Sequence, residues 1–258
     1  MVDYRFCRVE DEGRLRIVTI NRPEVLNALH SEAHWEFDGI WNEFAANPDL
    51  WVGIITGAGE RAFSAGNDLK VQAAGRRGPR PKTGFAGLSH RFDLEKPLIA
   101  AVNGIAMGGG FETALACDII VAAENAVFAL PEPRVGLIAG SGVHRLPRMI
   151  PQKWALGMIL TGRRVSAAEG QALGFVNEVV PQGEAVAAAK RWAAQILECS
   201  PMAIRASKQA VYRSLDEPTL EAAMTATYPA QQANLDSEDY IEGPKAFSEK
   251  RRPNWKNR

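Results

Sequence analysis

Residues 103–144, NGIAMGGGFETALACDIIVAAENAVFALPEPRVGLIAGSGVH, carry the pattern from which the fold is read. The apolar run 98–102 before them has the composition of a buried strand, and Asn103-Gly104 breaks it. Gly108, Gly109 and Gly110 then lead into a helical pattern, although each glycine costs about 1 kcal/mol in a helix interior. Glycines at a helix start let the backbone approach a ligand and aim its unsatisfied N–H groups at it. Glu112 falls in the first turn of that helix. Glu132 falls in the loop Leu130-Pro131-Glu132-Pro133, after strand patterns at 119–122 and 126–128, and a helix is expected from Ser141 onwards. Two carboxylates beside helix N-terminal donors can divide general base and general acid roles around a developing oxyanion. A plainer reading of the same residues stands beside that one: the helix dipole favours an acid in the first turn, and Pro-Glu-Pro suits a surface turn.

Further segments settle which reading to carry forward. FSAGNDLK (63–70), NGIAMGGGFE (103–112), LPE (130–132), GLIAGSG (136–142), LTGR (160–163) with GFVN (174–177), and EKR (249–251) resemble, in order, the motifs of the enoyl-CoA hydratase/isomerase (crotonase) family. The resemblance spans nearly the whole chain, from about residue 18 to residue 258. It implies an α/β fold: a crotonase-like spiral of ββα units over residues 1–195, with a helical region at 196–258 that makes the contacts of a homotrimer or dimer of trimers. It implies an oxyanion hole formed by the backbone N–H groups of Asn67 and Gly109, with Glu112 and Glu132 as the catalytic pair. It also implies that an acyl-CoA thioester meets Ala28, Ala65, Asp68, Leu69, Lys70 and Gly108, and that Phe247 and Lys250 lie near the nucleotide. An ordinary solvated lysine is the other reading of Lys250.

The activity so implied is reversible syn hydration of a trans-2-enoyl-CoA to a 3-hydroxyacyl-CoA, with no metal and no cofactor beyond the coenzyme A of the substrate. Many relatives lack one of the two glutamates and run other reactions. The chain departs from many hydratases at Ala139 and at Gly140-Ser141-Gly142-Val143, which bears on the acyl pocket. Within the family, FSAG (63–66), FE (111–112), FALPE (128–132) and the tail SEDYIEGP (237–244) with WK (255–256), which also occurs widely in other members, are similar to carnitinyl-CoA dehydratases. An isomerase, an aromatic-acyl hydratase and a non-catalytic acyl-CoA- or RNA-binding member are the remaining alternatives, the last opposed by the paired glutamates and the neutral charge.

The 258 residues, 46% of them hydrophobic, are enough to bury a full core. Thirty basic residues balance thirty acidic ones, so no global field draws the chain to nucleic acid or an anionic membrane. The amino terminus lacks a secretory pattern, and residues 97–123 are cut by glycines and acids, so a soluble, cytoplasmic protein is expected. Cys7, Cys117 and Cys199 lack metal-ligand spacing and read as buried thiols. His30 and His34, at helical i, i+4 spacing, read as helix surface, and no metal motif accompanies them. Neither Ser64 nor Ser141 sits in a G-x-S-x-G elbow.

Along the rest of the chain, residues 5–9 and 15–20 read as a hairpin. Residues 30–47 read as a helix with Trp35, Ile40, Trp41 and Phe44 inward, and 52–56 as a buried strand. The irregular segment 75–84, with Arg76, Arg77, Arg80 and Lys82 next to Lys70, reads either as a solvated loop or as a partner for coenzyme A phosphates. Ser166 to Glu169 forms a capping box. Helical patterns follow at 184–199, 201–215 and 219–234, with no strand after residue 180.

Overall fold

A computed structural model describes residues 4–75 and 78–258. Its larger sheet begins with a hairpin, β1 (Cys7–Glu12) and β2 (Leu15–Ile20), and continues with strands parallel to β2: β3 (Val52–Gly57), β5 (Leu98–Val102), β7 (Ile119–Ala123) and β10 (Glu178–Val180). The smaller sheet is β4 (Ala62–Ser64), β6 (Ile105–Met107), β8 (Val127–Ala129) and β9 (Val165–Ser166), in that order. The chain therefore visits the larger sheet, then the smaller one, then a helix, and repeats. The turns run β3, β4, α2 (Leu69–Ala73); β5, β6, α3 (Gly109–Ala116); and β7, β8, α4 (Gly142–Met149). This is the spiral of ββα units that the resemblance implied.

Alternation of side chains along buried strands explains why the larger sheet is covered on both faces. Ile55, Ala100 and Val102 point to the core shared with α1 (Ser31–Ala46) and α3, while Ile54, Ile99 and Ala101 point to α7 (Ala185–Leu197). That helix presents Ala185, Ala188, Ala189 and Ala193, small residues that let it lie close on the sheet. Helices α5 (Gln152–Thr161) and α6 (Ala167–Leu173) follow α4, and Ser166 Oγ caps α6 by accepting from the Glu169 amide. Past α7 the chain is helical: α8 (Pro201–Ser214), α9 (Leu220–Thr225), α10 (Pro229–Leu235) and α11 (Glu238–Ser248).

Four expectations are corrected. The single helix foreseen at 219–234 is two, because Pro229 has no N–H to continue the ladder and starts α10 instead. His34 is buried rather than superficial; its Nδ1 accepts from Ala86 N–H at 3.2 Å, and its ring lies 4.4 Å from that of Phe85. Burial lowers its pKa to about 3, so the ring is neutral. Trp35 is half exposed, with its indole N–H donating to the Pro79 carbonyl, and Cys199 is exposed while Cys7 and Cys117 are buried. Arg76 and Arg77 of the basic segment lie outside the described residues.

Candidate active site

The glycine triplet sits where its neighbours leave no room for side chains. Gly108, with φ of +52°, caps α3, and a β-carbon there would come 2.6 Å from Glu132 Oε1. A β-carbon on Gly109 would strike the Phe85 ring at 2.5 Å, and one on Gly110 would meet the Ser64 carbonyl oxygen at 2.1 Å. Gly66, with φ of +88°, approaches from the other side: its β-carbon would lie 2.5 Å from the Met107 carbonyl oxygen and 3.0 Å from the Gly109 nitrogen. The turn carrying Asn67 and the start of α3 are thus in direct contact. Gly109 is the first residue of α3, so its N–H has no acceptor within the helix.

Glu112 lies one turn into α3 and is buried. Oε1 accepts from Ser141 N–H at 2.6 Å and Gly142 N–H at 2.7 Å, the backbone at the start of α4. Two backbone donors on one oxygen hold the carboxylate in a single orientation and leave the other oxygen for a ligand. The aromatic trio Phe111, Phe128 and Phe175, with ring centroids 5.1 to 5.2 Å apart, anchors α3 to the smaller sheet beside it. Glu132 opens the turn Glu132–Val135 after β8. Its Oε2 is buried without a hydrogen-bond partner, and so is the hydroxyl of Ser141. Burial pushes Glu132 up to about 7; its own backbone N–H opposes this and the charge of Glu112 adds to it. A carboxyl that titrates near neutrality beside an oriented carboxylate can hold and release a proton during turnover.

The other expected contacts fall into two groups. Ala28 and Ala65 lie in paired loops around the Leu29 to Asn67 bridge, where Ala65 N–H donates to the Leu26 carbonyl. Arg22 ties this region together, donating to the Ala28 carbonyl at 2.5 Å and pairing with Asp68 at 3.3 Å. Leu69 and Lys70 begin α2 and are exposed, and Arg80 donates to Asn67 Oδ1 at 3.1 Å. Phe247, 88% exposed, and Lys250 lie at the end of α11, which packs chiefly against α10 and is not among the elements gathered at Glu112. The sequence reading missed Arg22, Phe85 and the two amides that hold Glu112. Only the last left a signal, in the glycine-flanked Ser141 at a helix start. Among the described residues no cluster of side chains suits a metal ion, and no helix is long and apolar enough to cross a membrane.

This arrangement coincides with a sequence profile described as enoyl-CoA hydratase/isomerase, which matches residues 10–258. The chain belongs to that family. It is 45% identical to the carnitinyl-CoA dehydratase of Salmonella typhi, over 95% of this chain and 96% of that one. The crystal structure of an enoyl-CoA hydratase from Mycobacterium tuberculosis superimposes with a TM-score of 0.92 at 36% identity, covering 98% and 99% of the two chains. A carnitinyl-CoA hydratase from Mycobacterium avium matches with a TM-score of 0.79 at 40% identity, covering 99% and 100%. Family members act on acyl-CoA thioesters, and these relatives are hydratases or dehydratases.

Proposed function

We propose that the chain is an enoyl-CoA hydratase that adds water reversibly, and syn, to a trans-2-enoyl-CoA. The observation that carries this reading is the juxtaposition of Glu112, oriented by two amides, with Glu132, half-protonated near pH 7 against the α3 N-terminus. The thioester oxygen accepts from the N–H groups of Asn67 and Gly109, which makes the β-carbon electrophilic. Glu112 takes a proton from the water as it adds there, and Glu132 holds that same water and delivers a proton to the α-carbon. Charge grows on the thioester oxygen in the transition state, so each backbone donor is worth about 3 kcal/mol, a hundredfold or more in rate. Coenzyme A runs past Ala28, Ala65, Asp68, Leu69, Lys70 and Gly108. No metal or redox cofactor enters these steps.

Phe247 and Lys250 complete the nucleotide site within a homotrimer or dimer of trimers, whose contacts draw on the exposed Val211, Leu215, Leu220 and Met224 of the carboxyl-terminal helical region. The 45% identity to a carnitinyl-CoA dehydratase supports a second reading, in which the same glutamates dehydrate a carnitinyl thioester. Initial rates with crotonyl-CoA and crotonobetainyl-CoA under identical conditions decide between them. The first reading requires the neutral substrate to be hydrated at least as well, and a strong preference for crotonobetainyl-CoA would replace it with the second.

A further inference from the structure

Helix α4 supplies the two amides that hold Glu112, yet little in its own sequence secures that end. The six residues 133–138 that lead towards it are all exposed. Its N-cap, Ser141, makes no side-chain capping bond and its hydroxyl has no partner, and Pro147 removes an N–H from the interior of a helix only 8 residues long. A helix so short and so poorly capped takes its position from tertiary contacts. Leu146 supplies one, buried in the core, and Arg145 supplies another.

Arg145 N–H donates to the Ser141 carbonyl at 2.9 Å, so its side chain leaves α4 one turn from the amides on Glu112. Its Nε and Nη2 donate to the Ser89 carbonyl at 3.4 and 3.2 Å, and the guanidinium carbon lies 5.5 Å from the centre of the Phe92 ring. Ser89 is buried, and its hydroxyl accepts from Phe85 N–H at 2.8 Å. The Phe85 ring in turn fills the space that a β-carbon on Gly109 would need. Next to it Ala86 holds φ of +51°, a conformation that a residue other than glycine keeps only where its surroundings impose it. Here His34 Nδ1 accepts from Ala86 N–H at 3.2 Å and Trp41 Nε1 donates to the Ala86 carbonyl at 3.1 Å. The Phe85 turn is thus fixed to α1 on one side and lies against Gly109 on another, and Arg145 ties α4 to it through Ser89.

We propose that Arg145 is a positioning residue: its tether to Ser89 fixes the start of α4 against the Phe85 turn and thereby holds the Glu112 carboxylate in register with the Gly109 amide. This rests on the hydratase reading above and adds a residue to its machinery. Arg145 acts through Glu112 and not on the substrate. A misplacement of about 1 Å at a reacting group can cost about a hundredfold in rate, so a tether of this kind bears on turnover more than on binding.

The test compares full-length wild type, Arg145→Gln and Arg145→Lys, each with and without Glu112→Gln, on whichever of crotonyl-CoA and crotonobetainyl-CoA the wild type turns over faster. Arg145→Gln is expected to lower kcat by about tenfold or more, while the Kd for free coenzyme A, which has no thioester to position, stays within about twofold. Arg145→Lys offers one nitrogen in place of two and should fall between the wild type and Arg145→Gln. In the Glu112→Gln background Arg145→Gln should cost about threefold or less, because the group it positions no longer acts as a base. The same fall with and without Glu112, a Kd for coenzyme A that worsens as much as kcat, or a kcat within about twofold of the wild type would each overturn the proposal and leave the hydratase reading standing. If Arg145→Gln does not fold, Arg145→Lys carries the comparison, and a wild-type kcat or an equal fall in both backgrounds overturns the proposal. Turnover of neither substrate by the wild type would remove both readings.

Discussion

In Glu132→Gln a carboxyl is exchanged for a neutral amide of nearly the same volume at a position where the native group titrates at about 7 instead of 4.5. Between those pH values the folded chain keeps a proton that the unfolded chain has released, so stability falls as pH rises through the interval and levels off above it. The full interval corresponds to about 3.4 kcal/mol at 1.36 kcal/mol per pH unit. Because the side chain is partly open to solvent, about 2 kcal/mol is the better expectation. Glutamine carries no such cost. The variant should therefore match the wild type near pH 4.5 and exceed it at pH 8 by about 2 kcal/mol, or about 4 to 8 °C in Tm for a chain of this size. Its turnover of an enoyl-CoA should fall by about a hundredfold or more, the usual worth of a positioned acid. Differential scanning fluorimetry from pH 4.5 to 8.5 at one protein concentration, beside initial rates at each pH, measures both effects. A Tm difference that stays flat across this range would refute the buried-carboxyl argument, and near-normal turnover would refute the assignment of Glu132 as proton donor.

Glu112→Gln should also lower turnover by about a hundredfold or more; combined with Glu132→Gln, steady-state kinetics should show a loss smaller than the product of the single losses, because both groups act on one water. Gly110→Ala places a methyl 2.1 Å from the rigid Ser64 carbonyl oxygen, so urea denaturation should show a loss of more than about 2 kcal/mol, whereas Gly140→Ala, with open space around it, should be nearly neutral. Light scattering at micromolar concentration should give a mass of three or six chains; a mass near 28.1 kDa would contradict the proposed assembly.

Much of this architecture is legible in the residues because local chemistry and tertiary position agree. The run 98–102 is buried from both sides and forms a strand over the expected residues, and Ser166 caps α6 as the capping box requires. The glycine triplet is legible for a steric reason: each glycine faces something that excludes a β-carbon. What stayed hidden is long-range. Nothing around Glu112 indicates that its partners are amides about thirty residues on, and nothing at His34 distinguishes a ring facing solvent from one pressed against Phe85. A helical pattern runs through 219–234 in the sequence, but the chain leaves the helix at Ala226 and Pro229 starts a second one, so the segment is two short helices. The roles of Asn67 and Gly109 came from family resemblance, to which the structure adds the contact between their two turns.

The most direct test of the two-glutamate mechanism is to incubate the wild-type chain with crotonyl-CoA in deuterium oxide and identify the product by mass spectrometry and NMR. The account predicts 3-hydroxybutyryl-CoA carrying one deuterium on the α-carbon, placed syn to the new hydroxyl. Recovery of unchanged crotonyl-CoA, or of a product deuterated anti to the hydroxyl, would contradict it.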